Sequence, residues 1–70
     1  MAINEIEIYL FTIPNNKVLF TASIEKLISI FEKKHNVNCS KNGKTYELEF
    51  QNSISKRLFE KELDKFELYK

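Results

Sequence analysis

His35 and Cys39 stand four residues apart, and a thiolate activated by an imidazole is a working catalytic nucleophile. Their surroundings argue for plainer roles. His35 closes a predicted helix, where a cation complements the negative end of the dipole. Cys39 falls on the inward face of a predicted strand, where a thiol behaves as a small hydrophobe. They are the chain's only histidine and cysteine, which excludes zinc clusters, disulfide frameworks and paired-histidine sites. A single glycine, Gly43, likewise excludes the glycine-rich loops that cradle phosphates.

Paired carboxylates do acid–base work when their environments push two pKa values apart. Glu47 and Glu49 instead project together from the outer side of a predicted strand, and Glu5 and Glu7 add to the same acidic surface. Glu62 is the exception, because on a helical wheel it lies within the arc of Leu58, Phe59, Phe66 and Tyr69. A carboxylate is costly to bury there, so the arc is read as two stripes, one for the core and one partly covered, with Glu62 in the groove between. No catalytic, metal-binding or cofactor-binding residue is expected, and the chain is not expected to be an enzyme.

Basic residues could serve a nucleic acid or an acidic partner. The net charge is only +1, but residues 17–44 carry +4 between ends of −2 and −1. Lys33 and Lys34 at the end of the first helix, with Lys41 and Lys44 at a hairpin tip, are the candidate phosphate contacts. Ten of the eleven bases are lysine, and only Arg57 offers the planar fork that reads phosphate or guanine. Nucleic-acid binding is therefore the alternative rather than the leading expectation.

Apolar surplus gives the leading one. Ile, Leu, Val, Phe and Tyr supply 26 large side chains in 70 residues, and helices on a small sheet cover only one sheet face well. Either Ile6, Ile8, Leu10 and Leu19 or Tyr9, Phe11, Ile13, Val18 and Phe20 would be left over. Tyr9, Phe11, Ile13 and Phe20 are taken as the residues that bind a partner, either another protein or a second copy in a homodimer. The expected function is a small non-catalytic interaction domain. Size class alone suggests a regulator or inhibitor encoded by a phage or another mobile element, of the anti-defence type.

The elements that would position these residues are marked by turns. Lys41-Asn42-Gly43-Lys44 carries the Asn-Gly pair of a tight hairpin, which places Val37, Cys39, Tyr46, Leu48 and Phe50 on one face. With Asn42-Gly43 as the loop, Cys39 opposes Tyr46. Pro14-Asn15-Asn16-Lys17 reads as a second hairpin turn, with Ile13 against Val18 and Phe11 against Phe20. Between the hairpins, Ile24, Leu27, Ile28 and Phe31 form a helical stripe that Thr21 or Ser23 could cap. After the second, Ile54, Leu58, Phe59, Leu63 and Phe66 form another, capped by Asn52 or Ser53. Phe66, Glu67, Leu68 and Tyr69 fit either a continued helix or a short last strand.

The expectation is one α+β domain over residues 1–70: a small antiparallel sheet of two hairpins with two helices, in the order ββαββα. The lone cysteine fits a reducing compartment, and the N-terminus has neither the basic region of a signal peptide nor the length of a membrane span. Cytoplasmic localisation without membrane association is expected.

Overall fold

Tyr46, Leu48 and Phe50 alternate with Thr45, Glu47 and Glu49, and this period of two makes β3 (Thr45–Phe50) the central strand of the fold. The computed structural model describes residues 5–69 and has an α+β architecture. In chain order it comprises β1 (Glu7–Thr12), a 3₁₀ helix (Asn15–Phe20), α1 (Thr21–His35), β2 (Asn38–Asn42), β3 and α2 (Ser53–Asp64). The sheet is antiparallel throughout, in the order β1-β3-β2. Both helices lie on the face of Tyr46, Leu48 and Phe50, with α1 beside β2 and α2 over β1 and β3.

The observed order is βαββα, and the first hairpin of the sequence reading is absent. Pro14 stops β1 in extended geometry (φ −70°, ψ 158°), and its carbonyl accepts from the Lys17 N–H at 2.9 Å to start the 3₁₀ helix. Val18, Leu19 and Phe20 therefore coil, and β1 pairs with β3 instead, from Glu7 opposite Phe50 to Thr12 opposite Thr45. A short apolar run cannot be assigned to helix or strand by period alone. The 3₁₀ helix passes straight into α1, so neither Thr21 nor Ser23 caps that helix through its side chain; the Thr21 N–H donates to the Val18 carbonyl.

The second hairpin is present with a shifted register. Asn42 pairs with Thr45 and Cys39 with Leu48, so Gly43 and Lys44 form the loop. Gly43 has φ +64° while Lys44 is not in the left-handed region, the pattern of a type II′ turn. The shift preserves parity, so Cys39 still shares a face with Tyr46, Leu48 and Phe50.

Helix ends follow from side-chain chemistry. Asn36 ends α1 in the left-handed region (φ 53°), which asparagine tolerates. The Asn52 side chain caps α2 by accepting from the Ser55 N–H at 2.9 Å. Residues 66–69 are neither strand nor continued helix. Glu67 turns the chain at φ 50°, which returns Leu68 to the core and carries Tyr69 to β1. At the centre, the Phe59 ring meets Phe31 (5.3 Å between centroids), Phe50 (5.6 Å), Phe11 (6.0 Å) and Tyr9 (6.2 Å). These aromatics join both helices to β1 and β3 through one packed cluster.

Candidate interaction surface

Alternation along β1 sends Tyr9 and Phe11 inward and Ile8, Leu10 and Thr12 outward. Phe11 (3% exposed) stacks on Tyr46 at 5.1 Å, and Ile13 (2% exposed) continues the core. Tyr9 is half-buried in the same cluster. Phe20 lies elsewhere, with its ring tilted on Phe66 at 5.4 Å and the Lys17 ammonium 5.8 Å above it. The four residues read as partner contacts do not make one exposed patch, because three of them face or fill the core. The other set supplies the surface. Ile8 (46% exposed) and Leu10 (59% exposed) form an aliphatic stripe on the outer face of the sheet, which neither helix covers, and the exposed Ile6 extends it just before β1.

The neighbours of this stripe follow from pairing. Ile8 lies opposite Glu49 and Leu10 opposite Glu47, and β2 continues the face with Asn38, Ser40 and Asn42. The Asn38 amide donates to Glu49 at 3.3 Å, and the Thr12 and Thr45 hydroxyls meet at 2.8 Å. The outer face thus grades from aliphatic at β1 through carboxylate at β3 to neutral polar at β2.

β1 is also an edge, and the hydrogen bonds show which of its backbone groups face outward. The Ile13 N–H donates to the Lys44 carbonyl, whereas the Thr12 N–H donates to the Tyr69 hydroxyl (3.2 Å) and the Thr12 carbonyl accepts from it (3.1 Å). In an antiparallel strand these directions alternate, so Tyr9 and Phe11 bond β3 while Ile8 and Leu10 direct N–H and C=O away from it. Among the described residues, no backbone bond engages those outward groups. The opposite edge is guarded. Lys41 on β2 is an inward-pointing charge of the kind that protects edge strands, and it is held by Glu25 at 3.1 Å.

That ion pair is the most developed polar cluster of the fold, and sequence reasoning missed it. The Glu25 carboxylate accepts from the Tyr46 hydroxyl (2.7 Å) and from Lys41, whose ammonium lies 5.3 Å above the Tyr46 ring. The Tyr46 bond, then Lys41, hold the Glu25 carboxyl below the ordinary glutamate range. Burial, then the Glu25 hydrogen bond, push the Tyr46 hydroxyl up. Glu25 sits more than a turn into α1, and no sequence signal ties it to a strand pair that closes 16 residues later.

The lysines divide. Lys41 engages Glu25 and Lys44 donates to the Asn15 side chain, both near the start of α1. Lys33 and Lys34 are exposed at its far end. Eight residues of helix separate Glu25 from Lys33, about 12 Å of rise, so the expected four-lysine cluster is not assembled.

His35 stacks on Phe31 (4.9 Å), and its Nδ1 lies 3.4 Å from the Ser55 hydroxyl rather than against Cys39. Cys39 is half-buried, and burial, followed by Glu32 and Glu25, pushes its thiol pKa up, away from the reactive thiolate. Glu62 is half-buried and paired with Lys65 at 3.1 Å, beside the partly exposed Leu58. Ile54 and Leu58 expose a second, smaller apolar stripe between Arg57 and Lys61. Among the described residues, no group of three His, Cys, Asp or Glu side chains is placed to hold a metal, and no helix is long and apolar enough to cross a membrane. Comparison with protein families, curated proteins and solved structures finds no match, so the functional reading rests on these residues.

Proposed function

We propose that this chain is a non-catalytic interaction domain that acts by protein–protein contact through the outer face and open edge of β1. One observation carries the reading: Ile8 and Leu10, preceded by the exposed Ile6, present aliphatic side chains on β1, and among the described residues no backbone bond engages the outward groups of Ile8 and Leu10. Apolar side chains beside free donors and acceptors favour an extended partner segment, held by main-chain bonds and oriented by side chains. The carboxylates of Glu47 and Glu49 border the stripe and set the approach of basic groups. A domain of this kind works by occupying a surface, which is how a small regulator or inhibitor acts. The lysines stand in two groups, Lys41 and Lys44 near the start of α1 and Lys33 and Lys34 at its far end, so the apolar stripe is the leading reading over nucleic-acid binding.

A photo-reactive benzophenone residue placed at position 10 tests the reading in living cells. The expected result is a discrete cross-linked protein adduct from position 10 and none from the helical, solvent-facing position 29. Equal cross-linking from both positions, or none from position 10, overturns it.

A further inference from the structure

We infer that the occupant of the β1 edge is a second copy of this chain, paired strand to strand in antiparallel fashion across a two-fold axis near Tyr9. The inference rests on the surface reading above and adds the partner. With the axis through Tyr9, Ile8 of one copy lies opposite Leu10 of the other. Both residues direct N–H and C=O outward, so each pair exchanges two bonds and the interface gains four main-chain hydrogen bonds. A register that pairs even-numbered residues with even-numbered residues keeps outer face with outer face. The stripes of Ile6, Ile8 and Leu10 then merge into one aliphatic band at the middle of a six-stranded sheet.

Three features favour a copy of the chain over an arbitrary strand. The stripe carries no charge, and the Glu47 and Glu49 rows of the two copies stay three strand spacings apart, about 14 Å, beyond the ~8 Å screening length at physiological salt. On the outer face, pairing therefore brings no like charges together. The Tyr69 hydroxyl occupies both backbone groups of Thr12, which ends the open edge and limits pairing to the residues before it. On the helix side, a cleft of about 350 Å³ lined by Tyr9, Leu63, Asp64, Glu67, Leu68 and Tyr69 opens beside the same edge and leaves room for the second copy's Tyr9. The β2 edge, guarded by Lys41, offers no equivalent.

A strand-edge interface with three aliphatic side chains per copy falls below the ~800 Å² per partner of a standard stable interface. The dimer is accordingly concentration-dependent, with the mass rising from 8.3 kDa toward twice that value between ~10 μM and ~1 mM.

Sedimentation of the wild type and of Leu10→Lys, with circular dichroism to verify folding, gives the first test. The wild type is expected to dimerise and Leu10→Lys to remain folded and monomeric. The second test mixes an Ile8→Cys chain with a Leu10→Cys chain, each also carrying Cys39→Ser. Facing hydrogen-bonded pairs lie at about 5.5 Å between Cα atoms, within disulfide reach, so oxidation should give the mixed disulfide at least tenfold faster than an Ile8→Cys chain mixed with a Ser40→Cys chain. A wild type monomeric at ~1 mM, dimers unaffected by Leu10→Lys, or no preference for the 8–10 disulfide each overturn the inference. Loss of dimerisation with retained cross-linking from position 10 to a protein of different mass leaves the surface reading standing. Loss of both removes both.

Discussion

Replacing Phe11 with alanine and its neighbour Leu10 with lysine tests which face of β1 holds the fold together. Phe11 is 3% exposed and packs against Tyr46, Phe59 and Tyr9 at centroid separations of 5.1, 6.0 and 6.0 Å. Truncating a buried phenylalanine costs about 3–5 kcal/mol from lost transfer energy and the cavity left behind. A core in a chain this short supplies about that much in total, so Phe11→Ala should be largely unfolded at 25 °C without denaturant. Leu10 is 59% exposed and buries the remaining two-fifths of a side chain whose full burial is worth about 1.5–3 kcal/mol. The lysine stem keeps part of that contact, so Leu10→Lys should cost less than about 1 kcal/mol. Urea unfolding followed by far-ultraviolet circular dichroism measures both. A Phe11→Ala protein within 1 kcal/mol of wild type, or a Leu10→Lys protein that fails to fold, would show that β1 presents its faces the other way round.

Three further outcomes follow from particular contacts. Glu25 is held below the ordinary glutamate value of 4.5, so its stabilising bonds are fully present above that pH and are lost as pH falls through the depressed value. Carboxyl-detected NMR titration should place Glu25 below 4.5 and show Tyr46→Phe moving it back up; no movement would remove the Tyr46 bond as the leading cause. Gly43→Ala meets no atom within 4 Å but forces a Cβ onto φ +64°, which should cost about 1–2 kcal/mol in the same urea assay; a neutral result would mean the turn is not left-handed there. Cys39 is half-buried with a raised pKa, so a disulfide reagent at pH 7.5 should label it at least ~10-fold more slowly in the folded protein than in urea. Equal rates would place the thiol on the surface.

What the sequence discloses here depends on how local the cause is. Asn42-Gly43 announces the β2–β3 hairpin because a tight turn needs a left-handed residue. Even with the loop displaced to Gly43-Lys44, parity kept Tyr46, Leu48 and Phe50 inward. Ile24, Ile28 and Phe31 in α1, and Phe59 and Leu63 in α2, declare their buried stripes through helical period. The β1–β3 pairing joins Glu7 to Phe50 with no turn to signal it, and Val18, Leu19 and Phe20 are apolar enough to pass for the missing partner strand. That substitution misdirected the site. Both faces of β1 are apolar, so choosing between Tyr9 with Phe11 and Ile8 with Leu10 required knowing where the helices lie. Tyr69 reaching back to Thr12 is likewise a contact across 57 residues that no local pattern encodes.

Amide hydrogen exchange at consecutive residues of β1 tests the central claim most directly, because it reads the edge and its occupant together. At ~10 μM, the Tyr9 and Phe11 amides should be protected by β3 while those of Ile8 and Leu10 exchange as solvent-facing groups. At ~1 mM, the Ile8 and Leu10 amides should slow at least tenfold while Tyr9 and Phe11 change little. Ile8 and Leu10 amides that are already protected in the monomer, or that stay fast in a solution shown to contain dimer, would contradict the account.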